Sequence, residues 1–230
     1  MQYLIESQLI LEYTLHRTCV GGNKGIQKDL DDGIDTIGKK MTVCQLYAKQ
    51  IRHRGNVRYN TKNGRKRLMK LLEEDKLGGC PIDSVKLSDA KEWAIRMKEK
   101  GISYKTISND KRSLKAAFYT AIQDDCIRKN PFGFQLNTVI EDDTEPKVPL
   151  TPAQEESFLS FAQNDKVYQK YYDELIILLG TGLRISELCG LTDTDIDFEN
   201  RIINVDHQLL RSAETGYYIE TPKTKSGIRQ

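Results

Sequence analysis

The stretch "IEDDTEPKVPL" at residues 140–150 limits what this chain can fold into. Four of its eleven residues are acidic and two are proline. Each proline removes a backbone donor and pushes the preceding residue out of the helical region. A helix or strand running across this stretch is therefore not expected, and the 230-residue chain reads as two domains joined here. The expected layout is a mixed segment and linker over 1–40, a helical domain over 41–140, a linker over 141–150 and a second domain from 151.

Charge divides along the same line. Residues 41–140 hold 21 Lys+Arg against 10 Asp+Glu, and the rest of the chain holds 14 against 23. The net +11 and −9 give the chain its overall +2. Residues 41–70 contain nine basic side chains and no acidic one. A basic domain of this kind suits a polyanion, most often nucleic acid. A charge run alone equally describes a solvated helical face.

Other classes are set aside by simple features. A hydrophobic fraction of 38% is enough for a packed core. No run of about 18 apolar residues is present, so no membrane span is expected. The start lacks a basic n-region and a small-residue cleavage site, which argues against a secretory signal. The five cysteines are scattered without a C-x-x-C pair. They read as small buried hydrophobes, reduced in a cytoplasmic compartment, with neither disulfide framework nor metal.

Helical periodicity starts at Thr42, a plausible N-cap for "TVCQLYAKQIR". A second helix places Leu68, Leu71 and Leu72 on one face, with Lys62, Arg65 and Lys66 among the basic residues around it. A third is expected to start at a Ser88 cap, to bury Trp93 and Met97, and to stop at Gly101. A fourth begins near Ser103, must end before Pro131, and buries Ile107, Leu114, Phe118, Ala121 and Ile122. Lys105, Thr106, Asn109, Lys111, Arg112 and Lys115 lie in its first half. After the linker, Thr151, Pro152 and Gln154 form a capping-box start. A buried helix "YYDELIILLG" follows, then a break at Gly180 and Gly182, then a short helix "RISELCGL". "RIINVDHQLL" and "GYYIETPKT" read as a hairpin around "RSAETG", with "TKSG" as a further turn.

Arg184 is the unusual residue, because it lies between a Thr-Gly turn and a run that otherwise reads as core. An arginine there needs an anion. At a helix start, with Glu187 one turn on to hold it, it suits a phosphate. It also fits a purely structural pair with Glu187.

The segment "TGLRISEL" resembles the one that carries the first catalytic arginine of the tyrosine recombinases, or phage-type integrases. The continuation "LTDTDIDFENRIINV" and the hairpin ending "TPKTKSGIR" follow in the family's order. "QLYAKQ", "SDAKEWAIRM", "KRSLKAAFYTAIQDDCIRKNPF" and "YYIETPKTKSG" look most like integrases of Gram-positive conjugative transposons. The resemblance covers about residues 33–230. It implies a mainly α chain: a four-helix, SAM-like core-binding domain, then the first part of an α+β catalytic domain with a β-hairpin.

The resemblance also implies a chemistry: site-specific integration and excision of a mobile element through a covalent phosphotyrosyl-DNA link. No metal or other cofactor takes part, and the partner is double-stranded DNA held in synaptic tetramers. Arg184 would then stabilise charge on the transferring phosphoryl group. Lys223 would protonate the leaving 5′-oxygen, with Lys225 the alternative two residues on. Lys62, Arg65, Lys66, Lys105, Thr106, Asn109, Lys111, Arg112 and Lys115 would contact DNA.

The sequence departs from the family at both ends. The family's later histidine, arginine and tyrosine positions have no counterpart after the hairpin, and "HQLLR" at 207–211 has the wrong spacing. Tyr217 and Tyr218 read as packing residues. Residues up to about 26 do not resemble an arm-site domain. Three readings stand: part of a DNA strand-exchange enzyme, a non-catalytic DNA-binding remnant, or a plain helical interaction domain. On the first two, one face of the hairpin is expected to be bare and apolar.

Overall fold

The computed structural model describes residues 38–55 and 57–230, apart from the side chains of Lys39 and Lys225. The expectations for residues 1–37, Cys19 among them, lie outside the described residues. The chain divides between Glu145 and Pro146 into two compact units.

The first unit is built from α1 (Val43–His53), α2 (Tyr59–Glu73), α3 (Leu87–Glu99) and α4 (Tyr104–Gln123). Local chemistry explains most of the ends. The Thr42 hydroxyl accepts from Gln45 N–H at 3.2 Å, and the Gln45 amide oxygen accepts from Thr42 N–H at 2.9 Å. This reciprocal box starts α1 at the expected residue. Helix α3 differs from expectation: it starts at Leu87, not after Ser88. The Asp89 carboxylate accepts from Lys86 N–H at 2.8 Å, so a first-turn acid caps the helix and Ser88 stays exposed. Gly101, with φ of 78°, ends it as expected.

The core of this unit is continuous. It joins Leu46 of α1, Leu68 and Leu72 of α2, Trp93 and Met97 of α3, and Ile107, Leu114 and Phe118 of α4. Phe132 closes it, edge-on to Trp93 at 5.9 Å and tilted against Phe118 at 5.4 Å. Of the four described cysteines, only Cys126 is buried; Cys44 and Cys80 are half-buried and Cys189 is exposed. The expectation of buried cysteines therefore holds at one of the four described positions.

Residues 141–150 form neither helix nor strand and are exposed throughout. The second unit then contains α5 (Pro152–Asn164), α6 (Tyr172–Thr181) and α7 (Ile185–Leu188). It also has β1 (Ile196–Asp197), β2 (Ile202–Ile203), β3 (Gln208–Ser212) and β4 (Gly216–Glu220). Thr151 and Gln154 cap α5 as expected, with Pro152 at the first helical position.

Three expectations for the second unit are corrected. "RIINVDHQLL" is not one strand. Its first part gives β2, antiparallel to β1 with Ile203 opposite Ile196. Its second part gives β3, antiparallel to β4 from Gln208 opposite Glu220 to Ser212 opposite Gly216. Helix α6, expected to be buried, has no buried residue, and Ile176, Ile177 and Leu179 are each about 40% exposed. The described residues cover them only in part. Tyr217 is not a packing residue: with Ile219 it lies on one exposed face of β4, and its ring faces Arg211 at 5.5 Å. The chain is thus mainly α, a four-helix domain followed by an α+β unit with a β-hairpin, as the sequence implied.

Inside the first unit, Asp75 is almost fully buried. It accepts from Arg96 Nε at 2.8 Å, Arg96 Nη2 at 2.7 Å and Leu77 N–H at 2.9 Å. Burial pushes its carboxyl up, but the Arg96 guanidinium and the Leu77 N–H outweigh that and leave it below the usual carboxylate range. Its contribution to stability is therefore present above the unfolded-state pKa and lost as pH falls through the lowered folded value. Asp75→Ala is expected to destabilise this unit by about 3 kcal/mol, because it strands a buried N–H and a partly buried guanidinium. Denaturant unfolding of the variant should show that loss near neutral pH and a smaller difference from the parent in acid.

Candidate functional site

Helix α6 ends at Gly182, whose φ of 66° a residue with a side chain rarely adopts. Two residues later Arg184 caps the one-turn helix α7. Arg184 N–H donates to Glu187 Oε2 at 3.0 Å, and its Nη1 donates to Oε1 at 2.6 Å. Arg229 approaches the same carboxylate from residue 229, with Nη2 at 2.7 Å from Oε2 and Nη1 at 3.3 Å from Oε1.

The Glu187 side chain is 2% exposed, whereas that of Arg184 is 69% exposed. The buried group is thus the carboxylate, and the arginine stands out from it toward solvent. This corrects the expectation of an arginine embedded in core. The Arg229 hydrogen bonds outweigh burial and, with those from Arg184, hold the Glu187 carboxyl at about 2. Two guanidiniums share one carboxylate, so the site keeps a positive balance, fixed from below and open above. That arrangement suits an oxyanion or phosphate. Because α7 has only four residues, its dipole adds little.

Several links join this site to the hairpin. Ser186 Oγ donates to Gln208 Oε1 at 3.1 Å, and Gln208 Nε2 donates to the Thr221 carbonyl at 3.2 Å. One side chain thus ties the residue two places after Arg184 to the residue two places before Lys223. Val205 and Arg229 pair across an antiparallel bridge. Strand β3 also passes so close to Gly190 that a Cβ there would meet Leu209 N at 3.0 Å and Gln208 Cα at 3.1 Å. Lys223 lies exposed in the loop after β4. Lys225 opens the 3-10 turn Lys225–Gly227, and its side chain lies outside the described residues.

Among the described residues, Asp195, Asp206 and His207 gather donor atoms within 4.8 Å of one another. His207 faces Asp206 through Nδ1 at 2.5 Å and the Gly190 carbonyl through Nε2 at 2.6 Å. Asp206, then the Gly190 carbonyl, raise the His207 pKa above its ordinary value. These contacts tie residue 207, just before β3, to the turn after α7.

In the first unit the expected DNA-contacting residues fall into separate groups. Arg65, Thr106 and Asn109 line one cleft of about 550 Å³ between α1, α2 and α4. Lys62, Arg65 and Lys66 line a neighbouring groove of about 460 Å³. Lys105 is exposed, and Arg112 is exposed with Nη1 donating to Asn109 Oδ1 at 3.3 Å. Lys111 lies over the Phe134 ring at 4.5 Å and Lys115 over Tyr119 at 5.8 Å, so both are partly engaged by their own unit. Burial, with Lys115 and Arg112 nearby, lowers the Lys111 pKa.

Residues 149–225 match the family model described as "Phage integrase family". This stretch of the second unit is a phage integrase family domain. It is 67% identical over 205 residues to "Transposase from transposon Tn916" of Enterococcus faecalis, covering 89% of this chain and 51% of that protein. Among solved structures it is similar to the Tn1549 transposon integrase in complex with a circular intermediate DNA. There the identity is 80% and the TM-score 0.79, over 82% of this chain and 60% of the other. A lambda integrase dimer bound to a core site shares the fold, with TM-score 0.53 at 14% identity. The chain spans about half the length of the curated relatives it matches.

Arg229 is the site residue that sequence reasoning missed. It lies beyond the matched residues and 42 positions from Glu187. The available signal was "SGIR", which places an arginine two residues after a glycine turn. Glu187→Gln is expected to destabilise the second unit by about 2 kcal/mol, less than for a fully buried pair because both arginines reach solvent. Glu187 contributes fully above an ordinary carboxyl value of 4.5, and its contribution is lost as pH falls through about 2. Acid melting curves of the parent should therefore fall across that window, and those of Glu187→Gln should fall less.

Proposed function

We propose that this phage integrase relative acts in site-specific integration and excision of a mobile element in the bacterial cytoplasm. In this reading residues 41–140 grip double-stranded DNA, residues 141–150 link, and residues 151–230 supply part of the strand-exchange site. The observation that carries it is the exposed Arg184, held rigid by buried Glu187 within the matched domain. A guanidinium fixed before the reaction spends nothing on reorganisation when charge develops on a phosphoryl oxygen. Lys223 is the general acid for the leaving 5′-oxygen, with Lys225 the alternative. The Gln208 relay keeps the Lys223 loop in register with Arg184.

The nucleophilic tyrosine of this chemistry has no assigned position among residues 1–230. In this reading DNA binding and phosphate clamping fall to residues 41–230, and strand exchange takes place in a tetramer on DNA. A second reading, a non-catalytic occupant of recombination sites, draws on the same basic surface and differs only in turnover.

Titration of duplex DNA with this chain across a salt series tests the binding. With several phosphate contacts from Lys62, Lys66, Lys105, Arg112 and their neighbours, the logarithm of the binding constant should fall linearly against log salt. The slope should be about −0.9 per contact. Folded protein that shows no binding at low salt overturns the proposal.

A further inference from the structure

The roughly 550 Å³ cleft of the first unit holds a carboxylate that a simple phosphate grip does not explain. Asp110 of α4 is 8% exposed by its side chain and lies among the arginines of the most basic part of the chain. Arg67 of α2 reaches it with a single nitrogen, Nη2, at 2.6 Å and 2.7 Å from the two oxygens. Among the described residues, Nη1 and Nε of Arg67 have no hydrogen-bond acceptor, and 43% of the side chain is exposed. Charge and direction are therefore separated in this pair. The carboxylate offsets the guanidinium's charge, so a phosphate gains little there. The remaining N–H groups still point in fixed directions, because a buried partner holds the head.

Arg54 and Arg65 also line the cleft and can meet phosphates, while Gln50, Thr106, Asn109 and Ser113 line it as neutral groups, with Gln50 5% exposed. These neutral side chains offer both donors and acceptors. Phosphates present acceptors only, while base edges in the major groove present both.

We infer that Arg67, oriented by Asp110, reads a base edge of the bound duplex, with guanine the matching base because its adjacent O6 and N7 can both accept from the two N–H groups of Nη1. The inference rests on the DNA-binding reading above. Asp110 is a positioning residue: it acts through Arg67, and its negative charge also keeps the phosphate backbone off the cleft floor.

Selection from a duplex pool randomised over about two helical turns tests this, with the full chain and sequencing before and after. The parent should enrich guanine at one position. Arg67→Lys, which keeps the cation but loses the planar head that Asp110 holds in one direction, should cut that enrichment about tenfold. Asp110→Asn should cut it too, with binding lost mainly for the preferred sequences. Melting curves establish that each variant is folded, and Arg67→Lys alone decides the matter if Asp110→Asn is not. A parent that binds DNA without preference overturns the inference, as do variants that keep the enrichment. So does a uniform loss over all sequences with the salt slope reduced by about one, the mark of a phosphate contact. A folded parent that binds no DNA at low salt overturns the DNA-binding reading itself, a distinct result.

Discussion

The second unit depends on one buried carboxylate. Glu187 has almost no contact with water, yet it stays ionised because two guanidiniums and a backbone N–H converge on it. That convergence sets three things together. It caps the one-turn helix α7, it ties the segment around residue 229 back to that helix, and it aims Arg184 outward. If Glu187 were neutral, Arg184 would be one more flexible surface arginine. Few other constraints act nearby, since the buried hydrophobics of this unit are Ala162, Leu183 and Val205 among the described residues. Polar links therefore carry the local geometry that an apolar core carries in the first unit.

The first unit shows how a basic surface coexists with an ordinary fold. Its core is continuous, and its best-buried acids face arginines: Asp75 faces Arg96 and Asp110 faces Arg67. Acidic side chains used inward in this way do not neutralise the outer lysines. The surplus of basic residues is thus exposed by construction. A solvated face would need no such sorting, which weighs toward an anionic partner.

The parts legible in the sequence were those decided within one turn of helix. Thr42 with Gln45, Thr151 with Pro152 and Gln154, and Gly101 each fixed an end through neighbours three or four residues away. Periodicity located the buried stripe of α4 for the same reason. The start of α3 was misread because Ser88 and Asp89 are both cap formers, and only geometry shows which one is used. The apolar run of α6 was read as buried, although burial depends on what lies opposite and not on the run itself. Pairs at long separation were beyond reach. Arg229 is 42 residues from Glu187, and Asp110 is 43 from Arg67. Arg184 and Glu187 were found because one helical turn joins them. Family resemblance, in turn, supplied the roles proposed for Arg184 and Lys223, which no local rule could assign.

The two units use the same device with different charge balance. In each, a carboxylate under a tenth exposed holds an arginine that is 43% or 69% exposed. Asp110 serves one arginine, so the pair is close to neutral and only the direction of its free donors remains to be used. Glu187 serves two, so a positive charge is left over at a fixed place. A neutral, directional donor discriminates between partners that differ in hydrogen-bond pattern, but adds little affinity for any anion. A fixed surplus charge does the reverse: it stabilises any oxyanion brought to it and does not distinguish one base from another. On the roles proposed for Arg67 and Arg184, the ratio of arginines to carboxylates would separate recognition from phosphate stabilisation within one chain, with no change in the side chains employed.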